Sequence, residues 1–396
     1  MRKVSYLLIG ISAIAVVIAA VSAATVSNLV TPPAVAAAAK THPADARLAA
    51  IDAHLKSNGH KFKTKRSPVF DKVAQLEALS HEIHLKAGFT NHQIGKESFK
   101  AASRSVKGLK LPANLHERIK AKAPYRPVLP RATQAQYDIR PLGFATDVDD
   151  QMQCGDCYNF SADKACMSAE KKAGVKNTVT WSYAHTLACS NTGGCDGGFP
   201  SDVMEWLLGN TDNDATQSPY NGAVGQCSGA AGTHKIDAHG YVGSDSTIPD
   251  EQSVKDAILA YGQISVCVAA DDNFMAYSSG IFTGPPLTAG DVDHAVNLLG
   301  WDDTTSPPCW IMQNHWNESW GEKGCMRIAR NSAQIGYAAA WAKINGTAPV
   351  PPGPTPPVPP VPPAPNPPTP AAGSITIDLD KKTVTVPGGY TPVLKP

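Results

Sequence analysis

The sequence predicts an α+β chain, and three observations predict it. Apolar residues recur at three- and four-residue spacing in 44–57 (ADARLAAIDAHLKS) and 69–86 (VFDKVAQLEALSHEIHLK), the period of short amphipathic helices. Far downstream, short apolar runs such as QISVCVAA and HAVNLLGW read as strands, while residues 157–172 read as a helix. All nine cysteines lie between Cys154 and Cys325, so the cysteine chemistry belongs to one unit, spanning about 137–347.

The size and charge of the chain narrow the function classes. Its 396 residues suit two or three folded units, and 42% hydrophobic residues are enough to bury a core. A net charge of +1 excludes a uniformly basic nucleic-acid binder. The charge is divided, however. Residues 40–131 hold 19 Lys/Arg and 7 Asp/Glu, a net of +12; residues 132–347 hold 11 and 25, a net of −14. Opposed fields attract over about a Debye length, so the two blocks are expected to bind each other.

The elements follow in chain order. Residues 1–24 (MRKVSYLLIGISAIAVVIAAVSAA) join a positive start at Arg2 and Lys3 to an apolar run and small residues at Val21 and Ala23, the pattern of a secretory signal. The run is long enough for an uncleaved membrane anchor as the alternative. The expected location is therefore secreted or periplasmic, with membrane attachment only if this segment stays on. The basic region then runs to about Arg131 and contains seven of the twelve histidines. After the cysteine-rich unit, residues 349–370 hold 14 prolines in 22, a polyproline II spacer. Beyond it, SITIDLDKKTVTV alternates in period two around Asp380-Lys381-Lys382 and predicts one hairpin.

Nine cysteines in an exported chain read first as disulfides, and an odd number leaves at least one thiol over. Cys154 and Cys157 form a C-x-x-C pair at the start of the predicted helix. Such a pair can be a dithiol redox site, half of a zinc site, or a structural cysteine beside a reactive one. Zinc needs about four ligands, and no second C-x-x-C is present. Redox chemistry needs only this pair and stays open on local sequence. A cysteine at a helix N-terminus also gains thiolate character from the helix dipole. Hydrolysis would further need a base, a group to orient it and an oxyanion hole. His294, in VDHAVNLLGWD, lies 137 residues after Cys157; Asn314, in QNHWNESWGEKG, lies 157 after it.

Four motifs then make the pattern specific. Q-M-Q-C-G-D-C-Y-N-F-S at 151–161, C-D-G-G-F-P at 195–200, V-D-H-A-V at 292–296 and N-H-W-N-E-S-W-G at 314–321 occur in that order. Over about 210 residues, from Y-D-I-R at 137–140, the chain resembles the papain family of cysteine peptidases. The resemblance implies a two-domain fold with a helical domain carrying Cys157, a β-barrel-like domain carrying His294 and Asn314, and the cleft between them. It implies domains at 136–347 (catalytic) and 25–135 (a helical propeptide acting as intramolecular inhibitor), followed by a linker at 348–370 and a tail at 371–396. It makes Cys157 the nucleophile, His294 the base, Asn314 its orienting group shielded by Trp316, and Gln151 an oxyanion donor beside the Cys157 N–H. Cys157 and His294 are expected as a thiolate–imidazolium pair.

By the same resemblance, Gly197 and Gly198 line the substrate backbone. Pro200, Cys267, Val292 and Ala295, with Ala340, surround a pocket for a bulky apolar side chain, and Asp293 and Trp316 are further substrate-binding residues. The resemblance pairs Cys154 with Cys195 and Cys189 with Cys227. It leaves Cys166, Cys267, Cys309 and Cys325 unassigned, with Pro286 and Ile335 where the family has a third bridge. No metal or cofactor is expected, and the partners are protein or peptide substrates. Four departures from the family pattern stand near the site: Met152, Asp156, Tyr158 and His315. Asp156 is expected on the solvated rim and His315 partly exposed. The implied activity is endopeptidase action through a thioester. The alternatives are an inactive papain-fold binding or adhesion protein and, further off, a C-x-x-C thiol–disulfide oxidoreductase.

Overall fold

A computed structural model describes residues 42–86, 103, 106–122, 130–175, 180–227, 232–243, 246–285, 287–345, 376–378 and 383–385. The signal segment 1–24, the proline-rich stretch 349–370, Pro286 and the Asp380-Lys381-Lys382 turn lie outside them. All the elements below fall in one unit, Pro43–Pro396. In chain order they are α1 (Pro43–Ser57), β1 (Lys63–Thr64), α2 (Pro68–Lys86), α3 (Leu115–Lys122), β2 (Gln136–Asp138), α4 (Cys157–Lys172), α5 (Tyr183–Cys189), α6 (Pro200–Gly209), β3 (Ala238–Tyr241), α7 (Glu251–Tyr261), β4 (Ile264–Val268), α8 (Asp272–Ala276), β5 (Tyr277–Ser279), β6 (Ile281–Phe282), β7 (His294–Asp302), β8 (Cys309–Gln313), β9 (Cys325–Ala329), β10 (Tyr337–Lys343), β11 (Thr376–Asp378) and β12 (Thr383–Thr385).

The two amphipathic segments of the basic region form α1 and α2. The α1 helix buries Ala44, Ile51 and Leu55, and α2 buries Phe70, Val73 and Ala74 into the core they share with the sheet. The short α3 buries Leu115 and Ile119 and puts Lys120 and Lys122 in its last turn, where cations suit the helix dipole.

The central helix is α4. Small residues Ala162, Ala165 and Ala169 let it pack closely, and every residue from Cys157 to Glu170 is buried. Lys171 and Lys172 close it. Around it lies one core of Phe160, Cys166, Trp181, Tyr183, Met204 and Leu207. On its other side α4 meets β4, β7 and β10. Ser161 Oγ donates to the Val296 carbonyl at 2.8 Å, and Asn297 Nδ2 donates to the Ser161 carbonyl at 2.9 Å, so helix and sheet are pinned by reciprocal hydrogen bonds.

The main sheet has eight strands in the order β3-β10-β4-β7-β8-β9-β6, with β2 added to β7. It is an open path ending at β3 and β6, and does not close into a barrel. Only β6–β9 is parallel; the other pairs are antiparallel. The β7 strand is buried from His294 to Trp301, as its apolar run requires. The tail strands β11 and β12 pair antiparallel, Ile377 opposite Val384.

Candidate active site

The segment before α4 and the start of β7 come together with the turn after β8. Cys157 is the first residue of α4, at the positive end of the helix dipole. His294 is the first residue of β7, and Asn314 follows β8 directly. The β7–β8 pairing sets Asn297 opposite Gln313, which brings the two ends side by side. His294 Nε2–H donates to Asn314 Oδ1 at 2.9 Å. That fixes the tautomer and leaves Nδ1, which has no hydrogen-bond partner, free to take a proton. Trp316 stacks on the imidazole at 4.6 Å between ring centroids, tilted by 21°.

A carbonyl from the basic region occupies the mouth of this arrangement. The Cys157 N–H donates to the Lys107 carbonyl at 3.2 Å, and Gln151 Nε2 donates to the same oxygen at 3.0 Å. The chain on either side is held as firmly. Trp316 Nε1 donates to the Val106 carbonyl at 2.6 Å. The Gly198 N–H donates to the Gly108 carbonyl at 2.9 Å, and the Lys110 N–H donates to the Gly198 carbonyl at 2.8 Å. Leu109 and Gly198 thus make a parallel β-bridge.

Glycine is required on both sides of this contact. A Cβ on Gly108 would stand 1.8 Å from the Gly155 carbonyl oxygen, and one on Gly197 would stand 2.5 Å from the Gly108 oxygen. A Cβ on Gly198 would meet the Thr192 oxygen and the Tyr158 ring at 2.7 Å. Farther along, Leu109, Leu111, Leu115 and Ile119 fill an apolar pocket with Phe199, Cys267, Val292, Tyr337 and Ala338. Cys267 and Val292 line it; Pro200 opens α6 next to Phe199, Ala295 turns its backbone toward the Cys157 sulfur, and Ala340 belongs to the core around α4. The pocket walls that sequence reasoning missed are Phe199, Tyr337 and Ala338.

The opposed charge blocks meet through named pairs. Arg47 pairs with Asp272, Lys107 with Asp293 (2.6 Å), Arg118 with Asp202, and Lys122 with Glu205.

Covered in this way, the site is dry. Cys157, His294, Asn314 and Gln151 have no solvent-exposed surface. Burial pushes the Cys157 thiol well up, against the help of the Ala295 backbone, and pushes His294 down to about 3. Burial therefore works against the expected ion pair in the covered state, because removing water penalises each charge.

Two departures from the family pattern also behave unlike their expectation. Asp156 is fully buried beneath the Tyr220 hydroxyl at 2.9 Å, and burial holds its carboxyl well above the usual range. It is no solvated rim acid. His315 is fully buried, stacked 5.4 Å from Phe160 and tilted against the His294 ring at 5.2 Å, with neither ring nitrogen hydrogen-bonded. Its main chain joins the site's two halves. The His315 N–H donates to Asn314 Oδ1, and its carbonyl accepts from the Gln151 N–H, both at 2.9 Å. Tyr158 packs and takes a hydrogen bond from the Gly194 N–H at 2.7 Å, while Met152 is exposed at φ 55°.

Cys154 is bonded to Cys195, and Cys189 to Cys227; Cys157, Cys166, Cys267, Cys309 and Cys325 are free and buried. A dithiol made of Cys154 and Cys157 thus lacks its first sulfur. The oxidoreductase alternative has no support in this arrangement.

Comparison with known proteins agrees with this geometry. The family described as papain family cysteine protease matches residues 133–343. A cathepsin L-like protein of Caenorhabditis elegans is 29% identical over 267 residues, covering 63% of this chain and 78% of the relative. Cathepsin L1 of Drosophila melanogaster is 29% identical over 278 residues, covering 68% and 69%. Among solved structures, digestive procathepsin L2 proteinase from Tenebrio molitor larval midgut has the same fold, with a TM-score of 0.55 at 22% identity, covering 75% of this chain and all of that one. The chain belongs to the papain family of cysteine proteases, and it is a cysteine endopeptidase made as a zymogen.

Proposed function

We propose that Cys157 is the nucleophile of this endopeptidase, that His294 is its base, and that residues 25–135 are a propeptide that keeps the cleft of the 136–347 catalytic domain closed. The observation that carries this reading is the Lys107 carbonyl, which takes hydrogen bonds from both the Cys157 N–H and the Gln151 amide. Two convergent donors beside a thiol are what a tetrahedral oxyanion needs. In the open enzyme the substrate carbonyl oxygen takes that place. His294 Nδ1 accepts the thiol proton while Nε2–H stays on Asn314. The thiolate adds to the carbonyl carbon, the oxyanion is held by the two donors, and the imidazolium gives its proton to the leaving amine. A thioester forms; water, deprotonated by the same imidazole, then hydrolyses it and restores the thiol.

Gly198 pairs with substrate backbone in extended form, and the pocket of Phe199, Cys267, Val292, Tyr337 and Ala338 receives a bulky apolar side chain. Three leucines and an isoleucine of the propeptide already line it. The N-terminal 1–24 segment directs export; among the described residues no helix is long and apolar enough to cross a membrane. Residues 348–370 act as a spacer to the 371–396 tail.

The test is labelling with an epoxide selective for papain-type thiols, in reductant, before and after removal of the propeptide. The expected result is one adduct, on Cys157, in the processed protein, and none in Cys157→Ala. A folded, processed chain that takes no adduct and cleaves no peptide overturns the reading.

A further inference from the structure

The propeptide brings one basic side chain into the cleft itself. The Lys107 side chain is only 3% exposed, and its ammonium lies 2.6 Å from Asp293 Oδ2. The carboxylate is set for this contact. Its other oxygen accepts the Ala270 N–H at 3.0 Å, while the Asp293 N–H donates to the Val268 carbonyl at 3.2 Å. A second carboxyl, Asp271, caps α8 close by, with one oxygen on the Phe274 N–H at 2.9 Å and the other on Asn273 Nδ2 at 2.7 Å. Burial raises the Asp271 carboxyl, and the Lys107 charge works against that rise. The same cleft is lined elsewhere by apolar groups: Trp316 on this side, and the leucine-filled pocket beyond Gly198 on the other.

The side of the cleft follows from the chemistry. The amine that leaves must take its proton from His294, so the leaving residue lies on the His294 wall. Asp293 directly precedes His294, and Trp316 stacks on it. Gly198 and the apolar pocket lie toward Leu109, on the acyl side.

We propose that Asp293, backed by Asp271, forms a subsite that selects a basic side chain on the first residue of the leaving group. The proposal rests on the reaction assigned to Cys157 and adds its specificity. Lys107 fills this subsite in the closed protein, and a substrate lysine or arginine fills it in the open one. Asp293 keeps 43% of its side chain exposed even under Lys107, so solvent screens part of the attraction. A charge-assisted hydrogen bond in that setting supports about a tenfold preference.

The test uses the processed enzyme and three peptides that share a leucine in the acyl-side apolar pocket and differ only in the first leaving residue: Lys, Leu or Glu. The expected order of kcat/KM is Lys over Leu over Glu, with about tenfold between Lys and Leu at low salt and a smaller ratio in about 1 M salt, where the Debye length falls to about 3 Å. Asp293→Asn is expected to bring the Lys/Leu ratio to near one, and Asp271→Asn to reduce it partway. Because the readout is a ratio within one preparation, general damage to His294 cancels. Equal rates for Lys and Leu, or a Lys/Leu ratio unchanged in Asp293→Asn, overturn the subsite and leave the reaction standing. Failure to cleave any of the three overturns both.

Discussion

Gly108 is the point at which the closed state can be broken with one methyl group. Its φ is +114°, and a Cβ there would lie 1.8 Å from the Gly155 oxygen and 2.1 Å from its carbonyl carbon. Those are backbone atoms, so no rotamer relieves the clash. The unfavourable φ alone costs about 1–3 kcal/mol for an alanine. If the segment lifts, the hydrogen bonds to the Lys107 oxygen from Cys157 and Gln151 go, with the two that join Gly108 and Lys110 to Gly198. At a net of about 1 kcal/mol each, the four together are worth about 4 kcal/mol. The closed state of Gly108→Ala is thus expected to be weaker by at least about fivefold and up to about a thousandfold. The assay is the rate of Cys157 alkylation in the unprocessed protein, with Cys157→Ala setting the background. Gly59→Ala is the control. It also has positive φ, at 70°, but nothing lies within 4 Å of the added Cβ. It carries similar backbone strain without the clash, so its alkylation rate measures what strain alone does, and Gly108→Ala should exceed it. If Gly108→Ala alkylates no faster than Gly59→Ala, the clamp through Gly108 is not what closes the cleft.

Three further outcomes follow from named contacts. His239 sits between Lys122 Nζ at 2.9 Å and Glu205 Oε2 at 2.8 Å; burial first, then Lys122 and Arg118, lower its pKa below the ordinary 6.5. Since its pKa is depressed while α3 is docked and recovers on release, docking is strongest above about 6.5 and weakens as pH falls toward the docked value, by at most about tenfold per pH unit; His239→Gln should flatten this dependence in a pH series of propeptide release. Gln151→Ala should lower kcat of the processed enzyme by about 10²–10³-fold with little change in KM, read in steady-state kinetics, because it removes a donor to developing charge. Replacing Cys154 and Cys195 together by alanine opens a link spanning 41 residues; on chain-entropy grounds this should cost about 4 kcal/mol in a denaturant titration.

The parts of this protein that could be read from sequence are those whose signal is local. The α4 helix runs from Cys157 to Lys172 as its pattern predicts, and β4 and β7 sit on the two apolar runs. His294, Asn314 and Gln151 were legible as candidates through the family resemblance that the motifs around them carry. The environments of Asp156 and His315 were not. Asp156 is polar and directly precedes the proposed nucleophile, so exposure is the natural expectation. It is covered by Tyr220, a residue 64 positions away, and nothing local announces such a cover. His315 is buried because Phe160 and His294 close over it from two other elements. The contact at Lys107 and Gly108 was hidden for the same reason. A single glycine in a basic stretch carries no periodicity, although the net charges of the two blocks did announce that they would meet. The short strand β2 lies off the main path of the sheet, paired with the end of β7 and held by Tyr137 against Trp301, a partner far along the chain.

The cover over Cys157 has a further consequence, for how nine sulfurs are sorted. Cys157 stands three positions from Cys154, which must find Cys195 instead. Thiol–disulfide exchange proceeds by attack of a thiolate on a disulfide sulfur. Beneath residues 106–109 the Cys157 sulfur is buried, and burial disfavours its thiolate. Covered, it is screened from the neighbouring bond and from an oxidant. If residues 106–109 close the cleft as proposed, the same segment also acts as a protecting group, keeping the proposed nucleophile reduced while Cys154–Cys195 and Cys189–Cys227 form.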